Sequence, residues 1–223
     1  MDLLLERERK LVAEYGRMLL MEGLTRGTSG NLSAIDRSRQ LVAVKPSAVE
    51  YLEIVPEDVA VVDLEGRQVE GPWKPSSETP MHLALYRERP DIGAVIHTHS
   101  PFATTFACLE REIPPVHYLF AAAGTHVPCA PYAPFGTEAL AESAARGIGC
   151  GKAVLLAHHG LVAVGADLAE AFSVVQAVEF VAEIAWRVSC VGVPQGLTPE
   201  QVEDALRRMS HYGRSAPAGE DGS

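Results

Sequence analysis

The sequence is poor in positive charge. Its 223 residues hold 19 lysines and arginines against 29 aspartates and glutamates, a formal net charge of −10. A nucleic-acid-binding surface needs a basic footprint, so this balance argues against one. It leaves room for a small anionic ligand, because a pocket can oppose the sign of the whole molecule. Cysteine is scarce too. Cys108, Cys129, Cys150 and Cys190 lie far apart and form no C-x-x-C pair. That excludes a four-thiolate metal site and points to free thiols in a reducing compartment, the cytoplasm. No uninterrupted apolar stretch is long enough to span a bilayer. The opening MDLLLERERK has charge on both sides of a short apolar patch, where a signal peptide would need an apolar core.

What is present fits one α/β domain with a substantial core: 223 residues, 47% of them hydrophobic. Residues 3–22 read as an amphipathic helix with Leu4, Leu11, Tyr15 and Met18 on one stripe and Gly23 as its stop. TRGTSGNLSA, residues 25–34, reads as a loop, and QLVAVKP and DVAVVDLEG as strands. GPWKPSSETP leads into a helix with Thr79 as N-cap and Pro80 as its first residue. DIGAVIHTHSP is strand-like, and Ser100-Pro101 opens another helix. The Pro- and aromatic-rich stretch 111–136 yields no clear element. KAVLLAHHG reads as a buried strand, Asp167 and Glu170 cap a helix to about residue 189, and Thr198 to Gln201 start a last one. The tail SAPAGEDGS has the composition of a disordered segment. Interleaved strands and helices place the chain in the α/β or mixed α+β class.

Two histidines separated by one residue close the strand AVIHTHS. A strand alternates faces with period two, so His97 and His99 point the same way. A lone H-x-H is more often two polar residues leaving a sheet than a metal site. Here a second apolar strand ends in His158-His159, and one of that pair offers a third imidazole. Three imidazoles with one exchangeable position describe a catalytic zinc site rather than a structural one. GTSGN, residues 27–31, lets backbone N–H groups approach an anion, with Thr28 and Asn31 as side-chain donors. It is neither a dinucleotide-binding nor a Walker-type loop. PSSETP, residues 75–80, puts Ser76, Ser77 and Glu78 at a helix N-terminus, where a phosphate is favoured and where a carboxylate beside a metal serves as ligand or base. A metal that polarises a carbonyl beside a carboxylate that moves the adjacent proton is carbon–carbon bond chemistry on a phosphorylated ketose.

GTSGN, PSSE, HTH, IPPVHYLFAAAG…VPCAPYAPFGT and HHG follow one another in this order. Together they resemble the class II aldolase family of L-fuculose-phosphate aldolases and L-ribulose-5-phosphate 4-epimerases, over residues 5–213. The resemblance implies a three-layer α/β/α fold with a central, mostly antiparallel sheet over residues 1–214, followed by the tail 215–223. It implies one Zn²⁺ per subunit on His97, His99 and His159, the histidine directly before the glycine being chosen over His158. Glu78 would move the proton at C3 of dihydroxyacetone phosphate and fill the fourth zinc position when substrate is absent. Thr28, Asn31, Ser47, Ser76 and Ser77 would hold the phosphate. Tyr118 from a neighbouring subunit would protonate the aldehyde oxygen, and Tyr212 would close over the site. The resemblance further implies a homotetramer with active sites between subunits, acting on a sugar phosphate and on neither nucleic acid nor membrane.

The stretch HYLFAAAG…VPCAPYAPFGT and Glu78 point to the aldolase branch, because the family's epimerases carry Asp at position 78. The expected reaction is reversible cleavage of a ketose 1-phosphate, of the L-fuculose or 5-deoxyribulose type, to dihydroxyacetone phosphate and a short aldehyde. Epimerase and methylthioribulose-1-phosphate dehydratase are the alternatives within the family, and a scaffold like the adducin head, without metal ligands, is the one outside catalysis. One departure stands out. Ser47-Ala48 replaces the family's usual Thr-Gly, so a methyl group sits where backbone would approach phosphate, and Ala48 is strained if its φ is positive.

Overall fold

The computed structural model describes residues 3–211, so Tyr212 and the tail 215–223 lie outside the described residues. Eight strands make one sheet: β1 (Asn31–Asp36), β2 (Leu41–Val44), β3 (Ala60–Asp63), β4 (Gln68–Glu70), β5 (Ala94–Thr98), β6 (Cys129–Ala130), β7 (Ala153–Leu156) and β8 (Gly160–Gly165). Their order across the sheet is β4-β3-β2-β1-β5-β8-β7-β6. Every pairing is antiparallel except β6 with β7. The helices are α1 (Glu6–Met21), α2 (Thr79–Glu88), α3 (Pro101–Cys108), α4 (Glu138–Ile148), α5 (Leu168–Val191) and α6 (Pro199–His211), with 3-10 turns at Pro56–Asp58 and Tyr118–Ala123.

Strand periodicity decides the layers. Ala94 and Ile96 of β5, Leu161 and Ala163 of β8, and Ala153 and Leu155 of β7 face a core shared with α1, α3 and α5. Their neighbours Val95, Val162, Val164, Val154 and Leu156 face a second core under α2 and α4. Both faces are covered, so the central strands are apolar without a break. This is the three-layer α/β/α arrangement with a mostly antiparallel sheet that the sequence led us to expect.

The helix caps follow the sequence closely at α5 and α6. Asp167 accepts from the Glu170 amide at 2.9 Å. Thr198 and Gln201 exchange side chain and backbone in a reciprocal capping box. Gly23, at φ +71°, ends α1 in the left-handed conformation open to glycine. The N-terminal amides of α3 take a distant cap: Phe102 and Ala103 each donate to the Glu179 carboxylate of α5 at 2.8 Å.

Several expectations need correction. The loop expected over 25–34 gives way to β1 at Asn31. A strand that the sequence reading did not contain, β8, follows β7 through the turn at 157–159. The cap of α2 is one residue earlier than expected: Glu78 holds the cap position, and Thr79 is the first helical residue, its hydroxyl donating to the Ser76 carbonyl at 2.6 Å. The reason is that Ser76 to Thr79 already close a hydrogen-bonded turn, with the Thr79 amide donating to the Ser76 carbonyl. The Glu78 side chain makes no cap and is free to turn inward.

Asp167→Ala should destabilise the fold by about 1 kcal/mol through loss of the α5 cap. Urea unfolding of the two proteins measures the difference, and equal midpoints would contradict the role given to the cap.

Candidate metal centre and active site

The antiparallel register brings the first site residues together. His97 of β5 lies directly opposite Asn31 of β1 and opposite Val162 of β8. β7 and β8 are joined by Ala157, His158 and His159. The His159 amide donates to the Leu156 carbonyl at 3.0 Å, closing a tight turn. His158 adopts a left-handed φ of 55°. Its ring faces outward to Glu110, at 2.9 Å, and toward Tyr132. His159 turns the other way and joins the pair on β5. The backbone thus turns His159, and not His158, toward His97 and His99.

The rings of His97, His99 and His159 stand mutually edge-on, with centroids 4.6 to 5.1 Å apart. One ligand nitrogen from each lies within 4.8 Å of the others. Burial, and then the neighbouring imidazoles, hold His97 well below the ordinary histidine range, and the same causes lower His99. Both stay neutral, as metal ligands must. His97 Nδ1 sits 3.0 Å from the Leu161 carbonyl oxygen, which only accepts, so Nδ1 carries the hydrogen and Nε2 is bare. That bare nitrogen lies 3.0 Å from His99 Nε2 and 3.3 Å from Glu78 Oε2. The buried Oε1 of Glu78 accepts no hydrogen bond and lies 3.3 Å from His159 Nε2. Lone pairs from four side chains converge here, an arrangement costly when dry and relieved by a cation. The donor set fits a divalent metal with nitrogen and carboxylate ligands.

Gly160 makes this packing possible. A Cβ there would meet the Thr98 carbonyl oxygen at 2.3 Å, His99 Cδ2 at 3.0 Å and His97 Cε1 at 3.2 Å. Gly30 does the same for the other wall: at φ +72°, its missing Cβ would meet the His97 carbonyl oxygen at 2.7 Å.

The metal candidate forms one end of a cavity of about 450 Å³. Thr28, Asn31, Ser47, Ser76 and Ser77 all line it, so the five expected phosphate donors share one space with Glu78, His99 and His159. Ala48 lines it as well, and its φ is 57°. The strain foreseen for a non-glycine residue is therefore present, at about 1–2 kcal/mol. Asn31 is turned mostly to Glu78: its Nδ2 donates to Glu78 Oε2 at 2.8 Å. Tyr118 does not line this cavity. It is half exposed and lines a separate groove with Leu197, Ala205 and Met209 of the C-terminal segment.

Sequence reasoning missed Lys45. Its ammonium is buried and donates to three carbonyls, Thr28 at 3.3 Å, Pro46 at 3.1 Å and Val49 at 3.2 Å. Burial pulls it down to about 8. The three carbonyls occupy its three N–H bonds, so it serves as a charged brace between the 27–31 and 46–49 loops rather than as a nucleophile. The signal was a lysine closing an apolar strand, in QLVAVKP.

Residues 10–186 match the family model for the class II aldolase and adducin N-terminal domain. The chain belongs to the class II aldolase family. A 5-deoxy-D-ribulose 1-phosphate aldolase of Bacillus thuringiensis serovar kurstaki is 45% identical over 95% of this chain and 100% of its own. The L-fuculose phosphate aldolase of Escherichia coli K12 is 37% identical over 86% of this chain and 88% of its own. A solved L-fuculose 1-phosphate aldolase superposes with a TM-score of 0.89 at 41% identity, over 92% of this chain and 96% of that one. Class II aldolases are metal-dependent lyases, in keeping with the histidine cluster. Among the described residues of this class II aldolase, no helix is long and apolar enough to cross a membrane.

Two outcomes are expected. Gly160→Ala should keep the fold by circular dichroism but weaken binding of a divalent metal ion, with overpacking against His97 and His99 costing about 1–3 kcal/mol; unchanged affinity against a competing chelator would contradict the close approach. The second concerns His82, which lies fully buried under Asn31. Burial, then His97, lowers His82 to about 3, whereas an unfolded histidine titrates near 6.5. Between those values the unfolded chain binds the extra proton. Stability of the metal-free protein should thus fall by about 1.4 kcal/mol per pH unit per such histidine as pH drops below about 6.5. Urea titrations across that window test the slope, which His82→Gln should make shallower.

Proposed function

We propose that this class II aldolase cleaves a 5-deoxyribulose 1-phosphate-type ketose reversibly, giving dihydroxyacetone phosphate and a two-carbon aldehyde. The observation that carries the reading is one cavity holding both a three-imidazole, one-carboxylate cluster and five hydroxyl or amide donors. The 45% identity to the Bacillus aldolase supports this substrate over L-fuculose 1-phosphate, which would release lactaldehyde. Zn²⁺ is the proposed metal, held by His97, His99 and His159, with Glu78 as a fourth ligand until substrate enters. A Lewis acid there polarises the ketose carbonyl.

The remaining work falls to the chain. Thr28, Asn31, Ser47, Ser76 and Ser77 anchor the phosphate, with Lys45 adding buried positive charge behind the loops. Anchoring fixes the C3–C4 bond against Glu78, and fixed geometry supplies much of the rate. Glu78 delivers the proton to C3 after cleavage and removes it in the reverse direction. Tyr118 of a neighbouring copy takes the C4 hydroxyl proton during cleavage and returns it to the aldehyde oxygen in the reverse direction, and Tyr212 closes the site. Its exposure and its place outside the cavity of its own chain support Tyr118 acting across a subunit boundary. We place residues 1–214 in one domain, as a subunit of a cytoplasmic homotetramer. The four free cysteines accord with that compartment.

The test is release of dihydroxyacetone phosphate from a panel of ketose 1-phosphates, with zinc-loaded and chelated enzyme side by side. Release from 5-deoxyribulose 1-phosphate that chelation abolishes is expected. No release from any member, with zinc bound, would turn the reading toward the epimerase or dehydratase branch. Glu78→Gln should retain zinc and lose most proton exchange at C3 of dihydroxyacetone phosphate, about 10²–10⁴-fold. Wild-type exchange in that variant would remove Glu78 as the base.

A further inference from the structure

Behind Glu78 runs a chain of buried polar side chains that, beyond Asn31, the proposed reaction does not itself use. It is built by two matched periods. Helix α2 and its cap residue present Glu78, His82 and Tyr86 at steps of four, and strand β1 presents Asn31 and Ser33 at a step of two. His82 Nε2 lies 2.6 Å from Asn31 Oδ1, and His82 Nδ1 lies 2.7 Å from Ser33 Oγ. The Tyr86 hydroxyl sits 2.8 Å from Ser33 Oγ and 3.0 Å from the Ser33 carbonyl oxygen. His82 is 0% exposed, Ser33 0%, Tyr86 1% and Asn31 3%.

The chemistry of the groups fixes the direction of the hydrogens between Glu78 and Ser33. An ionised carboxylate only accepts, so Asn31 must turn its Nδ2 to Glu78. Asn31 Oδ1 then faces His82, whose Nε2 must carry the hydrogen. The ring is neutral in this apolar surrounding, so Nδ1 is bare and Ser33 donates to it. The single hydrogen of Tyr86 goes to the Ser33 carbonyl oxygen, which only accepts, so the directed side-chain relay starts at Ser33. From Ser33 on, each donor thus points toward Glu78, an alignment in which successive bonds strengthen one another. A flipped Asn31 amide would set Oδ1 against the carboxylate and its N–H against the N–H of His82, and both contacts are repulsive. An amide does not pass a proton on, so the chain orients and moves no charge.

We infer that His82 is a positioning residue: through Asn31 it fixes Oε2 of Glu78 and leaves Oε1, the oxygen without a hydrogen bond, as the one that exchanges the proton with substrate. The inference rests on Glu78 being the base of the proposed reaction. His82 touches neither substrate nor metal ligand, and it acts by forbidding the amide flip.

The experiment compares zinc-loaded wild type, His82→Leu and His82→Gln for deuterium exchange at C3 of dihydroxyacetone phosphate, with zinc content measured alongside. Leucine keeps the bulk and removes the donor; the glutamine amide nitrogen reaches about as far as Nε2 and restores it. His82→Leu should lower kcat for exchange about 10–100-fold, with zinc retained and a much smaller change in KM. His82→Gln should recover most of that loss. A second readout needs no activity: ¹⁵N–¹H spectra of the wild-type protein should show His82 as the Nε2–H tautomer. The Nδ1–H tautomer would overturn the inference even if His82→Leu fails to fold. So would wild-type exchange in His82→Leu. No exchange in the wild type itself would remove Glu78 as base and the inference with it, which separates that failure from failure of the His82 assignment alone.

Discussion

The site depends on where β5 ends. Its neighbours β1 and β8 both run antiparallel to it, so each brings one of its ends to the same level as His97. The bond between His97 Nδ1 and the Leu161 carbonyl locks the ring and aims Nε2 into the cluster. β1 delivers Asn31 opposite His97 and, two residues on, Ser33. The β7–β8 turn returns His159. A slip of one residue in this register would send His97 to the opposite face. The geometry of the candidate metal centre is therefore a property of sheet pairing first and of side-chain choice second.

Around that end, the chain trades local comfort for close approach. Gly160 and Gly30 leave out the Cβ atoms that would strike the histidine strand. Ala48 and His158 hold positive φ without being glycine, one beside the proposed phosphate position and the other in the turn that sends His159 inward. Such strain persists only where the surroundings over-determine it. Here Lys45 is part of that surrounding, a buried charge whose three hydrogen bonds clamp the loops on which Thr28 and Ser47 lie.

Much of this was legible beforehand, and the losses have physical reasons. HTH and HHG were readable because period-two geometry and a tight turn leave direct traces in spacing. The α5 and α6 caps were readable because capping is local. β8 was not read, because the turn at 157–159 lacks the Asn-Gly type of signal and its apolar run follows a histidine pair that looked like an end. β1 was obscured because its first residue, Asn31, also belongs to a Gly/Ser/Thr-rich loop. Thr79 lost the cap to Glu78 because a turn from Ser76 had already formed. His82 carries no local signature at all, and Lys45 only that of a lysine closing an apolar strand. Their meaning comes from burial among residues that are distant in sequence.

The ligands themselves are distant in sequence, and this bears on how the protein matures. His97 and His159 stand 62 positions apart, joined only through strand pairing that must span the intervening helices. Closing such a loop is an entropic cost met before any local reward. In the unfolded chain the H-x-H pair and the His158-His159 pair are held far apart. The third imidazole and the carboxylate arrive with the sheet. A metal ion held by the proposed ligands in the native state alone would raise its stability by mass action as the available ion concentration rises.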